Sequence, residues 1–315
     1  MALVAARAGR DVVLWARNPD HAARMARDRT NARYLPDIPL PPAIRPTAER
    51  GDLHACDAVL LVTPAQTVRA VARAFAGVLG ADCPLVVCAK GIEFQTGALM
   101  SEVLAAELPG RCYAVLSGPT FAREVARGLP TAVTLACESL ATATDLAESL
   151  ASPAFRPYAS GDLIGVEVAG ALKNVIAIAC GVVKGRALGE NARASLITRG
   201  LAELQRLAVA KGGLAQSMMG LGGVGDLTLT CSTEQSRNFH FGVLIGRGLP
   251  VADALARPDV VVEGVHTARA VPGLAQALGV DLPICQAVAD VLHAGCPIDR
   301  AIADLLARPL RREEA

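Results

Sequence analysis

Along the first half of the chain, short apolar runs alternate with stretches of helical periodicity. The β-rich runs are 11–16 "DVVLWA", 57–62 "DAVLLV", 84–89 "PLVVCA", 112–116 "CYAVL" and 131–137 "TAVTLAC". Helical patterns fall between them at 19–28, 65–79, 96–107, 120–127 and 139–150. The runs at 57–62 and 84–89 are almost continuously apolar, as expected of strands buried on both faces of a parallel sheet. Asn18-Pro19 supplies a helix N-cap followed by a proline suited to the first helical position. Strand alternating with helix predicts a doubly wound, Rossmann-like α/β domain.

From about residue 162 the pattern changes. "DLIGVEVAGALKNVIAIACGVV" reads as one long apolar helix rich in small residues. Helical patterns at 191–211, 237–246, 264–278, 284–294 and 299–306 follow, with no convincing strand among them. The expected organisation is a dinucleotide-binding domain over 1–161 and an all-α substrate domain over 162–315. The stretch 151–161 "ASPAFRPYASG" is the expected junction, and "RREEA" the solvated C-terminal tail.

The chain opens on "MALVAARAG", which has the pattern of the second half of a crossover helix and lacks a capping residue before it. The strand at 11–16 then takes the place of a second strand. The expectation is a domain truncated at its N-terminus, its first strand and glycine-rich phosphate loop missing before Met1. The one G-x-G-x-x-G match, "GLGGVG" at Gly220–Gly225, lies in the helical half and follows no strand. It is expected to be a turn that positions Asp226.

Composition narrows the function. Aromatic residues make up only 3% and the formal net charge is +1, so neither base stacking nor a global field points to nucleic acid or an anionic membrane. No apolar run reaches about 18 residues without a charge or glycine break, and no membrane insertion is expected. The nine cysteines are scattered without a C-x-x-C pair. Several, such as Cys88, Cys137 and Cys180, lie in apolar runs. Reduced thiols in a cytoplasm are the expected reading, with no metal site.

Of 31 basic residues only four are lysines: Lys90, Lys173, Lys184 and Lys211. An ammonium can give up its proton near neutrality where its site favours that, and a guanidinium cannot. Lys184 and Lys211 stand near glycines at expected helix ends, where a plain structural role suffices. Lys90 follows a sheet strand, where ligands bind in doubly wound folds, as does Ser117. Lys173 lies in the long helix with Gly170 one turn earlier, a spacing that clears room beside the lysine. The strand at 11–16 runs into Arg17, and an arginine at that point can meet a 2′-phosphate. NADP(H) should therefore be accepted, and the expected cofactor is NADP(H) or NAD(H). The alternative for Arg17 is a solvent-facing loop residue.

Four stretches carry chemistry together: "CAKGIE" at 88–93, "SGPTFA" at 117–122, "VAGALKNVIAIA" at 168–179 and "GVGDLTLTC…QSRN" at 223–238. With "VVLWARN", "NARYLPDIPLP", "NARASLITRGLAE" and "VVEG", they make the whole chain resemble the bacterial NAD(P)-dependent glycerol-3-phosphate dehydrogenases. The resemblance implies interconversion of dihydroxyacetone phosphate and sn-glycerol 3-phosphate, in support of glycerophospholipid synthesis. It implies that Lys173 is the catalytic proton acceptor or donor. It places Lys90, Gly118, Thr120, Lys173, Asp226, Ser236, Arg237 and Asn238 on the substrate. It places Arg17, Asn18, Tyr34, Lys90, Ala122, Arg237, Val261 and Glu263 on the cofactor, and it implies a homodimer. Two other readings stand beside it. One is a 3-hydroxyacid or ketopantoate-type reductase, against which "SGPTFA" and "SRN" argue. The other is a non-catalytic remnant or binding module, motivated by the missing loop.

Overall fold

A computed structural model describes residues 1–257 and 261–310; the expected tail "RREEA" lies outside them. The N-terminal half contains nine strands: β1 (Val12–Trp15), β2 (Thr30–Asn31), β3 (Leu35–Pro39), β4 (Ile44–Thr47), β5 (Val59–Leu61), β6 (Leu85–Val87), β7 (Tyr113–Ser117), β8 (Thr131–Cys137) and β9 (Phe155–Ser160). Its helices are α1 (Ala2–Arg7), α2 (Pro19–Asp28), α3 (Val68–Phe75), α4 (Met100–Glu107), α5 (Ala122–Arg127) and α6 (Leu140–Leu150). Strands β5-β6-β7-β8-β9 form one sheet in that order. It is parallel except between β7 and β8, which run antiparallel with Ala114 opposite Cys137. Strands β1 and β4 pair separately in parallel, and β2 and β3 form an antiparallel pair.

The continuous apolar run of β6 has the expected cause. Leu85 and Val87 face a layer containing Val68, Phe75, Val103 and Leu104 of α3 and α4. Val86 faces the opposite layer, with Val4 of α1 and Ala143 and Leu146 of α6. Asn18 caps α2, its Oδ1 accepting from the His21 N–H at 2.9 Å, and Pro19 takes the first helical position. The expected junction at 151–161 is instead largely strand: Phe155–Ser160 pairs with β8. It escaped the pattern because it carries Pro157 and alternates weakly. Strands β3 and β4 also contain proline, and all three occupy sheet edges, where a missing N–H leaves no ladder bond unmade.

The C-terminal half is helical throughout its described residues: α7 (Leu163–Gly185), α8 (Glu190–Ala210), α9 (Asp226–Thr230), α10 (Arg237–Gly246), α11 (Val251–Leu255), α12 (Glu263–Leu278), α13 (Pro283–His293) and α14 (Ile298–Leu306). By length and composition α7 could cross a membrane, but it is the buried axis around which the other helices pack. Its contact with α10 is backbone to backbone. A Cβ on Gly181 would overlap the Phe239 carbonyl oxygen, and one on Gly242 would overlap that of Ile178. This close crossing brings the start of α10 beside the middle of α7. Gly181→Ala is expected to destabilise the fold by about 1–3 kcal/mol, the usual cost of overpacking, measured by chemical denaturation. An unchanged midpoint would mean that the crossing is looser.

One buried carboxyl joins the two halves. Glu167 of α7 accepts from Ser101 N at 2.9 Å and from Ser101 Oγ at 2.5 Å, capping the first turn of α4. Burial pushes its pKa up to about 7, against those hydrogen bonds. The folded state therefore keeps a proton that the unfolded chain releases near 4.5. The contribution of Glu167 to stability is greatest below that value and falls as pH rises toward about 7. Thermal melts of wild type and Glu167→Gln should diverge in the variant's favour over that window. A constant difference between the two would contradict this account.

Candidate active site

The long helix α7 carries Lys173 into the seam between the halves, 6% exposed. Its Nζ donates to Asp226 Oδ1 and, at 2.8 Å, to Thr230 Oγ1. Asp226 and Thr230 are the first and last residues of α9, four apart and so on one helix face. The glycine-rich stretch before them is a kinked turn of π-type helix in which Gly223 leaves helical geometry. A Cβ there would overlap the Met218 carbonyl oxygen. "GLGGVG" thus delivers Asp226, as its position in the helical half implied.

Lys90 reaches the same carboxylate from the sheet domain. Its Nζ donates to Asp226 Oδ2 at 2.6 Å and to the Gly118 carbonyl at 3.0 Å. Thr120 Oγ1 donates to that carbonyl at 3.1 Å. One carboxylate therefore bridges two ammoniums, one on each oxygen. Gly170 serves a different neighbour from the one its spacing suggests. A Cβ there would stand 2.9 Å from Ser117 Oγ but at an ordinary 3.6 Å from Lys90 Cγ, so the glycine makes room for Ser117 rather than for Lys173.

Electrostatics follow from this geometry. Burial lowers the Lys173 pKa to about 8; the Asp226 carboxylate opposes the shift and the Lys90 charge adds to it. For Asp226, burial acts upward, but the two ammoniums and their hydrogen bonds outweigh it and hold the carboxyl below its ordinary range. Lys173 thus combines reach, burial and a proton affinity near neutrality.

A chain of amides leads away from the lysines. Asn174 Nδ2 donates to the Lys90 carbonyl at 3.3 Å, and Asn174 Oδ1 accepts from Asn238 Nδ2 at 2.9 Å. Asn238 Oδ1 in turn accepts from the Gly264 N–H at 2.9 Å. Ser236 caps α10 through Oγ, which accepts from the Phe239 N–H at 3.3 Å. Arg237 follows at the helix start, exposed to solvent. The first N–H groups of a helix have no intrahelical acceptor, so this corner presents backbone donors and a guanidinium together.

Glu263 lies on the same side of the seam, close enough for the Arg237 charge to act on it. Its Oε1 accepts from the Ala65 N–H at 3.1 Å, whereas Oε2 is buried with no partner. That oxygen and Thr267 Oγ1, also without a partner, stand 3.5 and 3.6 Å from where a Cβ on Gly91 would be. Thr63 Oγ1, just beyond β5, is a third such orphan. Arg17, Asn18, Tyr34, Ala122 and Val261 are exposed. The Asn18 side chain is engaged as the α2 cap, and Tyr34 meets the His21 ring edge-on. Sequence patterns singled out neither Asn174 nor Thr230 for a role. The adjacency of Asn174 to Lys173, and the spacing of Thr230 from Asp226, were the available signals.

A doubly wound domain facing a helical domain, with a carboxylate-bridged ammonium pair in the seam, defines a class of two-domain oxidoreductases. Comparison with known proteins narrows the class. The family profile described as NAD-dependent glycerol-3-phosphate dehydrogenase N-terminus matches residues 1–143, and the corresponding C-terminus profile matches 162–303. A Caulobacter vibrioides protein named glycerol-3-phosphate dehydrogenase (NAD(P)+) is 52% identical over 313 residues, covering 99% of this chain and 95% of the relative. One from Methylobacterium radiotolerans is 51% identical, covering 99% and 94%. The crystal structure of a Coxiella burnetii glycerol-3-phosphate dehydrogenase superposes with a TM-score of 0.92 at 38% identity, covering 98% of this chain and 94% of that one. The chain belongs to the NAD-dependent glycerol-3-phosphate dehydrogenase family.

Proposed function

We propose that this chain interconverts dihydroxyacetone phosphate and sn-glycerol 3-phosphate with NADP(H) or NAD(H), supplying glycerophospholipid synthesis. The observation that carries this reading is the Lys90–Asp226–Lys173 bridge beside the capped start of α10. When bound, the nicotinamide cofactor supplies or accepts the hydride. Reduction of a ketone builds negative charge on its oxygen, and ammoniums directed at that oxygen stabilise it. Lys173 spends two N–H donors on Asp226 and Thr230. The third is left for the substrate oxygen, to which Lys173 gives its proton in reduction and from which it takes one in oxidation. Lys90 adds a second positive charge, and Asp226 keeps the two ammoniums converged. Gly118 and Thr120 line the carbon skeleton. Ser236, Arg237 and Asn238 form the phosphate corner, where a carboxylate substrate would leave donors unused.

The residues present suit a nicotinamide cofactor. The orphaned Glu263 carboxylate oxygen is a buried acceptor beside Gly91, where the missing side chain lets Ala65 pack closely. We assign Lys90, Arg237 and Val261 to the cofactor beside that acceptor. Arg17, Asn18, Tyr34 and Ala122, all exposed on the sheet domain, are assigned to the rest of the cofactor on the family resemblance. All nine cysteines are free thiols, which fits a cytoplasmic setting. We extend the proposal to a homodimer on family membership, to be read by sedimentation.

The test is NADPH oxidation followed with three substrates: dihydroxyacetone phosphate, unphosphorylated dihydroxyacetone and a branched 2-oxo acid. The expected order of kcat/KM is the phosphorylated ketone far above the other two. Preference for the oxo acid would favour the ketopantoate-type alternative, and no turnover of any substrate would favour a binding module.

A further inference from the structure

Lys90 belongs to a segment between β6 and α4 that has little regular structure of its own. Ile92 bridges to Leu99 in a single β-type contact, and residues 94–96 form a turn between them. Its placement comes from outside. On one side Ile92 is fully buried in the core of the helical domain. On the other, Gln66 in the turn that enters α3 and Arg69 in the first turn of α3 hold the backbone and the one acidic side chain of the segment. Gln66 Nε2 donates to the Ile92 carbonyl at 2.8 Å, and its Oε1 accepts from the Phe94 N–H at 3.2 Å. Arg69 stands three residues on, on the same face. Its Nε and Nη2 donate to the two oxygens of Glu93 at 2.8 and 2.7 Å. Thr96 Oγ1 donates to Glu93 Oε2 at 2.6 Å. Arg69 Nη1 also reaches Glu107 of α4 at 2.5 Å, and Arg73 pairs with Glu107 at 2.8 Å.

We propose that Gln66 and Arg69 are positioning residues for Lys90: they fix Ile92–Phe94 against α3 so that the ammonium two residues earlier meets Asp226. The arginine fork locks both the distance and the orientation of Glu93, which a single-point lysine would not. The amide clamps the backbone on either side of that carboxylate. Neither residue bonds to Lys173 or Asp226, so both act only through the loop. The proposal rests on the reading of Lys90 and Lys173 as the working ammoniums.

The consequence is measurable without cofactor. The groups facing Lys173 are Asp226, Thr230 and Cys231 from α9 and its end, and Lys90 from the loop. If the loop loosens, Lys90 withdraws. A neighbouring positive charge then weakens, and Asp226 turns its full charge on Lys173. Both changes favour the protonated amine.

With only four lysines in the chain, protein labelled with ¹³C at the lysine ε-carbon gives four resonances to titrate by NMR, Lys184 serving as a distant reference. In Gln66→Ala and Arg69→Gln the Lys173 titration should move up, toward the ordinary lysine range, while Lys184 stays. Arg69→Lys should fall between Arg69→Gln and wild type. The kcat for dihydroxyacetone phosphate should drop on the order of 10–10²-fold, as for a misplaced reacting group. Arg69→Gln leaves Glu93 without its cation and could fail to fold; Gln66→Ala leaves no charge unpaired and then decides the matter. A Lys173 titration like wild type in Gln66→Ala overturns the proposal, whatever happens to Tm or kcat. A moved titration in a protein that turns over no substrate would uphold the positioning and refute the proposed reaction.

Discussion

Lys173→Arg keeps a positive charge in the seam and loses turnover by about 10²–10⁴-fold, the usual worth of general acid–base catalysis. A guanidinium does not release its proton near neutrality. It is also planar, and it replaces a compact group that bonds Asp226 and Thr230 from a site 6% exposed. The melting temperature should change far less than the rate. The pH profile of the wild type carries the same information. With Lys173 lowered to about 8, ketone reduction needs the protonated amine and should fall as pH rises through that value. Alcohol oxidation needs the free amine and should rise through it. Asp226→Asn removes the carboxylate that favours the charged form, so the limb should move to lower pH. Steady-state rates across pH in both directions read all of this, and near wild-type turnover by Lys173→Arg would remove Lys173 from the role.

What the chain's pattern reveals depends on whether a residue's partner is close in sequence. Strand β6 was legible because Leu85, Val86 and Val87 are all apolar, and both faces prove to be covered. Strands β3, β4 and β9 were not, because each carries a proline that an edge tolerates and a propensity argument rejects. The two lysines stood out against an arginine-rich background, and their convergence on one carboxylate is consistent with that prominence. Asn174, Thr230, Gln66 and Arg69 gave no such signal. They are ordinary polar residues on helices, and what distinguishes them is the group that tertiary packing brings opposite. Arg69 meets Glu93 from 24 positions away, and Thr230 meets Lys173 from 57. Gly170 is intermediate: its need for space was readable, but the neighbour that takes the space was not.

Arg237→Ala should raise KM for dihydroxyacetone phosphate on the order of 10–150-fold, equivalent to about 1.5–3 kcal/mol for hydrogen bonds to a charged group. It should leave reduction of unphosphorylated dihydroxyacetone within a few-fold of wild type. The guanidinium stands exposed at the start of α10, just after the Ser236 cap, where helix N–H groups already favour an anion. Its solvent exposure in the free protein means that little holds it there, so its loss should cost binding rather than folding. Salt gives an independent check. Part of the attraction to a phosphate dianion is screened as ionic strength rises, and the variant's KM should depend on salt less steeply than that of the wild type. Arg237 also acts on Glu263, lowering its carboxyl against the upward push of burial. If the variant weakens both substrates equally and raises the KM for NADPH instead, Arg237 serves the cofactor through Glu263, and the phosphate corner must be built from the α10 backbone and Asn238 alone.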